Sequence, residues 1–279
     1  MQLTPTDPQH DFSIRPLDGL DDLLECRKAK ASVLKVLRHP GVPPKLFLTG
    51  PPGSGKTSLI RAGVQFIACQ RPQGLKPCGV CAGCVAFRST NYGRMTGLHS
   101  DFAYWDAGRP LDYLVINCRN ASVAEIEDHL QGIRHRTHAL RVIHLEEAAS
   151  LYRDRRDERL TEFMDDHDFN TCRWLATGVT DQELDEQFRR RWGLMVTTTP
   201  PSIDDLADRL ALQCRELGIE VDSPDTWTFL AEASWCVVGR AMSVISTALM
   251  EVPPRLTRGL VEDHPFPLTD PWKMEFFRR

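Results

Sequence analysis

Short apolar runs alternate with helical periodicity through the first two thirds of the chain. The runs occupy residues 46–48, 113–116, 140–145, 173–177 and 192–196. Before the first run and between the others, apolar side chains recur at helical spacing within residues 21–37, 58–69, 123–133 and 160–164. Unbroken apolar runs are typical of strands buried on both faces, and strand–helix alternation is typical of parallel sheets. The pattern therefore predicts an α/β fold in which helices cover both faces of a parallel sheet.

The strand signal ends near residue 204, and the pattern then becomes helical. Residues 206–217 and 226–249 are two helical stretches, and the segment 220–224 joins them. We therefore expect four regions: an N-terminal arm over residues 1–20, an α/β core over 21–200, a small α-helical lid over 201–250 and a Pro-rich tail over 251–279. The tail holds three aromatic residues that form either a strap on the chain's own lid or a docking peptide for a partner: Trp272, Phe276 and Phe277.

The charge balance and the cysteines limit the classes of partner and location. The chain has 34 basic and 38 acidic residues and a formal net charge of −4. A nearly neutral protein is not a general polyanion binder, so contact with DNA needs a local basic patch. No run approaches the ~18 apolar residues that a membrane helix needs, and the polar, acidic start is not a signal peptide. Nine cysteines, three of them within CGVCAGC, favour a reducing compartment, so we expect a cytoplasmic protein with no membrane partner.

A phosphate-binding loop is predicted where the first apolar run ends. The residues from Gly50 to Thr57 match the pattern GxxxxGK(S/T) and lie between a predicted strand and a predicted helix. Glycines let successive N–H groups point at phosphate oxygens, and a helix start adds partial positive charge. Lys56 would reach the β- and γ-phosphates of ATP, and the Thr57 hydroxyl would complete the Mg²⁺ shell. The predicted nucleotide site comprises Gly50, Pro51, Pro52, Gly53, Ser54, Gly55, Lys56, Thr57 and Ser58.

An acidic pair follows the third apolar run. Glu146 and Glu147 come directly after residues 140–145, where a phosphate-loop ATPase needs carboxylates at a strand end. We predict that Glu146 holds the magnesium ion through water and that Glu147 orients and polarises the attacking water. The commoner first residue is Asp, so the Glu at this position leaves the rate of ATP hydrolysis open. The alternative is a pair of acids at a helix N-terminus, stabilised by the helix dipole.

Four cysteines lie close together after the predicted helix, spaced Cys69-x8-Cys78-x2-Cys81-x2-Cys84. Tetrahedral Zn²⁺ takes four soft ligands, and CxxC spacing lets two thiolates from one tight turn reach the same ion. No base or Cys–His pattern accompanies them, so the predicted zinc knuckle over residues 69–84 is structural. The alternative is a group of unpaired buried cysteines. The others are interpreted as ordinary core residues: Cys26, Cys118, Cys172, Cys214 and Cys236.

The order of these motifs resembles one family. A phosphate loop, then a helix ending in Cys-x8-Cys-x2-Cys-x2-Cys, is similar to the tau/gamma and delta-prime subunits of the bacterial DNA polymerase III clamp loader. Residues 69–78 resemble delta-prime, whereas the intact phosphate loop resembles tau/gamma. The similarity covers residues 15–250 and includes 115–117, 145–147 and 160–166. The resemblance implies an AAA+ ATPase with ATP bound between subunits.

The same resemblance implies roles for three further residues. Thr177, in the segment LAT, matches the sensor-1 strand and would feel the γ-phosphate. Arg191, in the segment RRW, falls where the family has Ser-Arg-Cys and would be the finger donated to a neighbouring subunit's ATP. Arg240, in the segment GRAM, resembles sensor 2 and would reach ATP from the lid. For each arginine, the alternative is a solvated or salt-bridged surface residue.

Clamp-loader subunits also carry a third helical domain, the collar, and residues 251–279 are too few for one. The first functional hypothesis is an ATP-dependent subunit of clamp-loader type. It would assemble with AAA+ subunits of the same or a related kind and grip the backbone of duplex DNA, with a sliding clamp as a candidate partner. Candidate basic segments lie at residues 134–136, 153–159 and 189–191.

Two alternatives remain open at this point. One is a collar-less AAA+ regulator of DNA transposition, which polymerises on DNA and passes the site to a transposase. The missing collar and the intact phosphate loop favour it, whereas the zinc knuckle favours the clamp-loader hypothesis. The other is a scaffold that binds ATP and changes shape but hydrolyses little ATP. The Glu at position 146 and the altered finger segment would suit such a scaffold.

Overall fold

The computed structural model describes residues 20, 23, 27–89, 102–104, 111–134, 140–153, 157–179, 184 and 186–266. Several sequence-based predictions fall outside these residues. They concern the N-terminal arm before Leu20, Cys26, the basic residues at 135–136 and 154–156, and the tail aromatics Trp272, Phe276 and Phe277.

A six-stranded sheet forms the centre of the α/β core. Its strands are β1 (Leu46–Thr49), β2 (Phe102–Tyr104), β3 (Leu111–Asn117), β4 (Leu140–Glu146), β5 (Arg173–Thr177) and β6 (Leu194–Thr197). They are ordered β2-β3-β4-β5-β1-β6, and all neighbours are parallel except β2 with β3. The parallel sheet confirms the fold predicted from the apolar runs. The three-residue edge strand β2 was not predicted, because a strand this short shows no periodicity.

Helices pack on both faces of this sheet, as the pattern predicted. They are α1 (Arg27–Leu37), α2 (Lys56–Ala68), α3 (Ala82–Ser89), α4 (Val123–Arg134), α5 (Ala149–Arg153), α6 (Asp157–Asp165) and α7 (Glu186–Arg191). Alternate residues of one strand enter different cores: Val115 packs with α1 and α2, whereas Leu114 and Ile116 pack with α4 and α6. The strands are therefore buried on both sides, which explains why they are apolar throughout.

The residues after the sheet form a second, helical unit with its own core. It contains α8 (Ile203–Glu216), β7 (Glu220–Val221), α9 (Asp225–Ala233), α10 (Val238–Ala248), β8 (Arg255–Leu256) and α11 (Arg258–Asp263). Its buried cluster includes Leu206, Leu230, Ile245 and Val261. We refer to residues 203–263 as the helical unit.

The helical unit differs from the sequence-based prediction in two respects. The single helix predicted over 226–249 is two helices, because Trp235 and Cys236 have φ values of 59° and 56°, which no α-helix contains. The tail predicted from residue 251 starts later, since β8 pairs with β7 and Leu256 and Val261 are buried in the unit's core. β8 and α11 are too short to show a period in the sequence, so the neighbouring Pro253 and Pro254 made this stretch look irregular.

Among the described residues, no helix combines the length and the apolar character needed to cross a membrane.

Candidate functional site

The loop between β1 and α2 has the backbone shape that its glycines permit. Gly53 and Gly55 have φ values of 76° and 81°, in the left-handed region that side chains disfavour. At Gly50 a Cβ atom would lie 2.3 Å from the Thr198 hydroxyl oxygen, so only glycine fits there. Helix α2 begins at Lys56, and no side chain caps its N-terminus. Its first N–H groups and its dipole therefore face the loop, which is the arrangement that binds phosphate.

Lys56 is enclosed by the loop that precedes it. Its side chain is 7% exposed, and its Nζ donates hydrogen bonds to the carbonyl oxygens of Gly50 and Pro51, both at 2.8 Å. Burial lowers the pKa of Lys56 to about 8, against the opposing effect of the Glu147 carboxylate. The ammonium group is thus held at the loop in a poorly solvated place, where its attraction for an anion is strong.

Glu146 and Thr57, both predicted to bind magnesium, lie next to each other. Glu146 is the last residue of β4, and its carboxylate accepts a hydrogen bond from the Thr57 side chain. Burial raises the pKa of Glu146, and the Arg61 guanidinium opposes that shift. Arg61 Nη2 lies 3.3 Å from Glu146 Oε1. Arg61 is thus a charged neighbour of the site that the motifs did not reveal, although it lies one helical turn after Thr57.

Glu147 and Thr177 meet at the ends of two adjacent strands. The backbone N–H of Glu147 points to Thr177 Oγ1 at 3.4 Å, and the next N–H, of Ala148, donates to the Thr177 carbonyl at 2.8 Å. Glu147 has a φ of 54°, which is strained for a residue with a side chain. This conformation turns the chain sharply at the end of β4 and leaves Glu147 in the wall of the adjacent cavity.

One cavity of about 400 Å³ joins these groups. One wall is the phosphate loop with the start of α2, together with Glu147 and Thr177. The opposite wall comes from the helical unit and the segment before it: Pro201, Arg209, Gln213, Val238 and Gly239. Arg209 and Gln213 lie four residues apart on α8 and therefore share one face of that helix. Sequence reasoning missed both residues, because no motif marks them.

Two arginines with predicted roles are not among the residues that line this cavity. Arg240 is not among its lining residues, and its guanidinium carbon lies 5.5 Å from the ring centre of Trp235. Arg191 is the last residue of α7, before β6, so it lies at the amino ends of the parallel strands. There its Nε bonds to Asp165 Oδ2 at 3.0 Å. The loop follows the carboxyl end of β1, so the sheet separates Arg191 from the cavity.

The four cysteines predicted to bind zinc form a single cluster. The sulfur atoms of Cys69, Cys78, Cys81 and Cys84 all lie within 4.8 Å of one another. Backbone N–H groups point at these sulfur atoms, from Cys78 to Cys69 at 3.2 Å and from Gln70 to Cys81 at 3.4 Å. Burial alone would raise the pKa of Cys81, but backbone hydrogen bonds from Gln70 and Cys84 lower it to about 6. Cys81 is therefore readily deprotonated, whereas burial raises the pKa of Cys69 and Cys84, so a metal ion would have to displace the protons of those two thiols.

Glycine allows the cluster to sit close to α2. Cys69 is the residue that ends α2, and a Cβ atom at Gly83 in α3 would lie 2.3 Å from the Ala68 carbonyl oxygen. Gly79, between the second and third cysteines, has a φ of 74°. The remaining described cysteines lie outside the cluster: Cys118, Cys172 and Cys214 are buried, and Cys236 is partly exposed.

The fold and this site together define a phosphate-loop nucleotide-binding protein of the α/β class. The sequence profile of the ATPase family associated with various cellular activities (AAA) matches residues 46–199. The chain therefore belongs to the AAA family. No curated protein matches the chain in sequence.

Several solved structures share its architecture. RuvB of Thermotoga maritima, described as a Holliday junction branch migration motor, superposes with a TM-score of 0.55 and 16% identity over 88% of this chain and 70% of its own. ORC1 of Aeropyrum pernix, in complex with DNA, superposes with a TM-score of 0.58 and 16% identity over 87% of this chain and 65% of its own. PCH-2 of C. elegans superposes with a TM-score of 0.53 and 15% identity over 88% of this chain and 70% of its own. At these identities the likeness shows the fold alone.

Proposed function

We propose that this chain is an ATP-hydrolysing AAA+ subunit of clamp-loader type, which assembles with related subunits and acts on DNA. The observation that carries the proposal is the meeting of Lys56, Glu147 and Thr177 in one cavity, with the adjacent pair Thr57 and Glu146 beside it. These groups come from the ends of β4 and β5 and from the start of α2, and their combination is what phosphoryl transfer requires.

The residues divide the work on ATP and Mg²⁺ as follows. The N–H groups of the loop and of the start of α2 would hold the phosphates, and Lys56 would exchange its two carbonyl acceptors for β- and γ-phosphate oxygens. Thr57 and Glu146 fit a magnesium ion, because both offer oxygen atoms at one point next to the loop. Bound magnesium would neutralise phosphate charge. Glu147 would orient the attacking water, and Thr177, 2% exposed, would sense the γ-phosphate.

The helical unit acts as the lid of this site in our proposal, and Arg209 and Arg240 are its candidate cations. The family resemblance favours Arg240, whereas Arg209 lines the cavity. Replacing each by alanine in turn and measuring ATP affinity separates them. We expect Arg209→Ala to weaken ATP binding about tenfold, the loss of one charge-assisted contact, and Arg240→Ala to change it less. An equal or larger loss for Arg240→Ala would assign the contact to Arg240 instead.

Arg191 is proposed as a finger that acts on the ATP of a neighbouring subunit. The cavity of the same chain lies at the opposite end of the sheet from Arg191. The four residues of β1, about 13 Å of extended chain, separate the two ends. A contact with its own nucleotide is therefore excluded by the topology. A second subunit that docks its cavity against the Arg191 edge would complete the site.

The cysteine cluster is proposed as a structural zinc site. Zn–S bonds of about 2.3 Å in a tetrahedron place the sulfur atoms about 3.8 Å apart. The sulfur atoms of Cys69 and Cys81 already lie 3.9 Å apart, so little rearrangement is needed. We expect about one zinc per chain, lost together with thermal stability in Cys84→Ser. Cys236→Ser, outside the cluster, should keep the metal; a metal-free wild-type protein would refute the site.

Two similar structures support the proposed action on DNA, and ion pairs at the predicted basic segments affect how strongly DNA would bind. Two of the similar structures are a branch migration motor and a DNA complex. However, four arginines in the predicted basic segments are ion-paired: Arg134 with Asp166 and Asp168, Arg159 with Glu127 and Glu162, Arg190 with Glu186, and Arg191 with Asp165. DNA phosphates would have to replace these surface pairs, which are individually weak. DNA binding should therefore fall steeply with salt.

Electron microscopy of the protein with duplex DNA and a slowly hydrolysed ATP analogue tests the assembly. A closed or spiral ring of subunits on DNA would support the clamp-loader hypothesis, whereas a continuous filament would support the transposition regulator instead. Lys56→Ala, which cannot hold the triphosphate, is the control. Particles that stay monomeric with and without the analogue would contradict assembly by this chain alone.

One observation favours the ATP-binding scaffold as a second candidate. Arg61 occupies one oxygen of Glu146, and this pairing competes with magnesium for the same carboxylate. ATP turnover with and without DNA separates the two functions. Turnover that stays near zero while ATP binds tightly identifies a scaffold, and turnover stimulated by DNA identifies a motor.

A further inference from the structure

A chain of three hydroxyl and carbonyl groups links the phosphate loop to the segment after β6. Ser54 Oγ, in the loop, lies 2.7 Å from Thr198 Oγ1, and Thr198 Oγ1 donates to the Thr49 carbonyl at 3.0 Å. The backbone N–H of Thr198 donates to the same carbonyl at 2.7 Å. Ser54 is 7% exposed and Thr198 is 1% exposed. The contact is thus shielded from water and joins residues 144 positions apart.

The direction of these hydrogen bonds follows from the number of protons. A hydroxyl has one proton to donate, and the Thr198 proton goes to the Thr49 carbonyl. Ser54 must therefore donate its own proton to Thr198. Removing the Thr198 hydroxyl leaves the Ser54 O–H without this acceptor in a buried position, which is costly.

Thr198 also fixes the backbone of the loop by direct contact. Its hydroxyl and carbonyl oxygens lie 2.3 Å and 2.6 Å from where a Cβ of Gly50 would be. On the other side, the Gly50 N–H donates to the Val179 carbonyl at 3.1 Å. The start of the loop is therefore held between the segments that follow β5 and β6.

A short, stiff connection leads from Thr198 to the helical unit. Four residues, 199–202, separate it from Ile203, the first residue of α8, and two of them are Pro200 and Pro201. Proline fixes its own φ and restricts the residue before it, so the segment has little freedom to absorb a shift. Pro201 lines the cavity, and Ser202 caps α8 by accepting the N–H of Asp205. Helix α8 then carries Arg209 and Gln213 along the opposite wall.

We propose that Thr198 is a positioning residue that couples the phosphate loop to the helical unit. Through its hydrogen bond with Ser54, Thr198 holds the loop in the shape that binds the triphosphate. Through residues 199–202, a shift of the loop moves α8. Binding of ATP then draws Arg209 and Gln213 into place. The inference rests on the proposed ATP site, and it concerns a residue that is not among those lining the cavity.

The test compares three variants of the full chain with the wild type, using a fluorescent ATP analogue and hydrogen exchange of the α8 amides. Thr198→Val keeps the volume but loses the hydroxyl, and Thr198→Ser keeps the hydroxyl. Thr197→Val is the matched control, because its hydroxyl pairs with Thr49 Oγ1 at 2.9 Å and not with the loop. We expect Thr198→Val to bind about tenfold more weakly and to lose the ATP-dependent protection of α8. Thr198→Ser and Thr197→Val should stay within about twofold of wild type.

Each outcome decides between the possibilities. Thr198→Val with wild-type affinity and wild-type protection of α8 overturns the inference, and so does a Thr198→Ser variant that fails like the valine. A wild-type chain that binds no ATP overturns the proposed function itself, and this is seen without any variant. Should Thr198→Val not fold, Ser54→Ala removes the same bond from the loop side. Intact ATP-dependent protection of α8 in Ser54→Ala would then refute the coupling.

Discussion

The two ends of the parallel sheet carry similar residues in opposite surroundings. At the carboxyl ends, Lys56 and Thr177 are 7% and 2% exposed and line the same cavity. At the amino ends, the side chains of Arg191 and Asp165 are 28% and 54% exposed. The charge of Lys56 acts strongly because the protein shields most of its side chain from water, whereas an exposed ion pair contributes little to the stability of a single chain.

The difference bears on the proposed function. In that proposal the carboxyl-end residues bind the triphosphate and direct the water molecule, whereas Arg191, the finger implied by the resemblance, lies at the other end of the sheet. An exposed ion pair such as Arg191 and Asp165 strengthens when another molecule covers it and removes its water. We propose that assembly of subunits completes the site, and the following predictions test this contrast.

The largest effect is expected for Arg191→Ala. If this residue acts across a subunit boundary, ATP hydrolysis should fall about 10³-fold, the lower range for an arginine finger, with ATP affinity retained. The measurement is ATP turnover by each variant and by mixtures formed before assembly. Arg191→Ala mixed with Lys56→Ala should regain activity, because each variant supplies the group that the other lacks. No recovery in any mixture would contradict the proposed role of Arg191 at a subunit boundary.

Glu147→Gln should lower ATP hydrolysis about 10²-fold or more, because the amide cannot polarise the attacking water. ATP binding should be nearly unchanged, since the amide keeps the size of the side chain at the cavity wall. Single-turnover hydrolysis and equilibrium binding measure the two effects separately. Glu186→Gln, on the exposed surface of α7, is the control. Equal losses in binding and hydrolysis would show that Glu147 only shapes the cavity.

The affinity for ATP should fall as the pH rises through about 8, by up to about tenfold per pH unit. Burial lowers the pKa of Lys56 to about 8, so its ammonium group is lost above that pH, while a bound triphosphate favours the charged form. Phosphate, whose second pKa is about 6, stays fully ionised over this range. Lys56→Arg remains charged and should bind with no such pH dependence between pH 7 and 9.5. A flat profile for the wild type would contradict the burial of Lys56.

The smallest effect is expected for Asp165→Asn at the amino end. Its bond to Arg191 is half-exposed, so ATP turnover should change by less than about fivefold. The change should shrink further at high salt, which screens exposed charges. Lys45, which donates to the Met164 carbonyl at 2.6 Å, should still hold the end of α6 in place. A change in the affinity for the chain's own ATP would show that the two ends of the sheet are not independent.

The sequence predicted those features that depend on neighbouring residues. The strands β1, β3, β4, β5 and β6 were visible because a strand buried on both faces is apolar at every position. The phosphate loop, the acidic pair and the four cysteines were visible because their chemistry requires fixed short spacings. The AAA family membership confirms the class that these motifs indicated.

The features that were missed depend on contacts between distant segments. Thr198 meets Ser54 across 144 residues, and nothing local marks either residue as a partner of the other. Arg209 faces the cavity only because the helical unit folds over the loop. The break between α9 and α10 contains neither Gly nor Pro, and it is formed by Trp235 and Cys236 in a conformation that local propensity disfavours.

Helix α2 has a different chemical attachment at each end, and this has a mechanical consequence. Its 13 residues span about 20 Å, from Lys56 at the phosphates to Ala68, beside the first cysteine of the cluster. If the cluster holds zinc as proposed, the metal anchors the carboxyl end of α2 through Cys69. Oxidation of the thiols would then release the metal and remove that anchor. The affinity of the loop at the other end of the helix would thereby depend on the redox state of the surroundings, although none of the four cysteines lines the cavity.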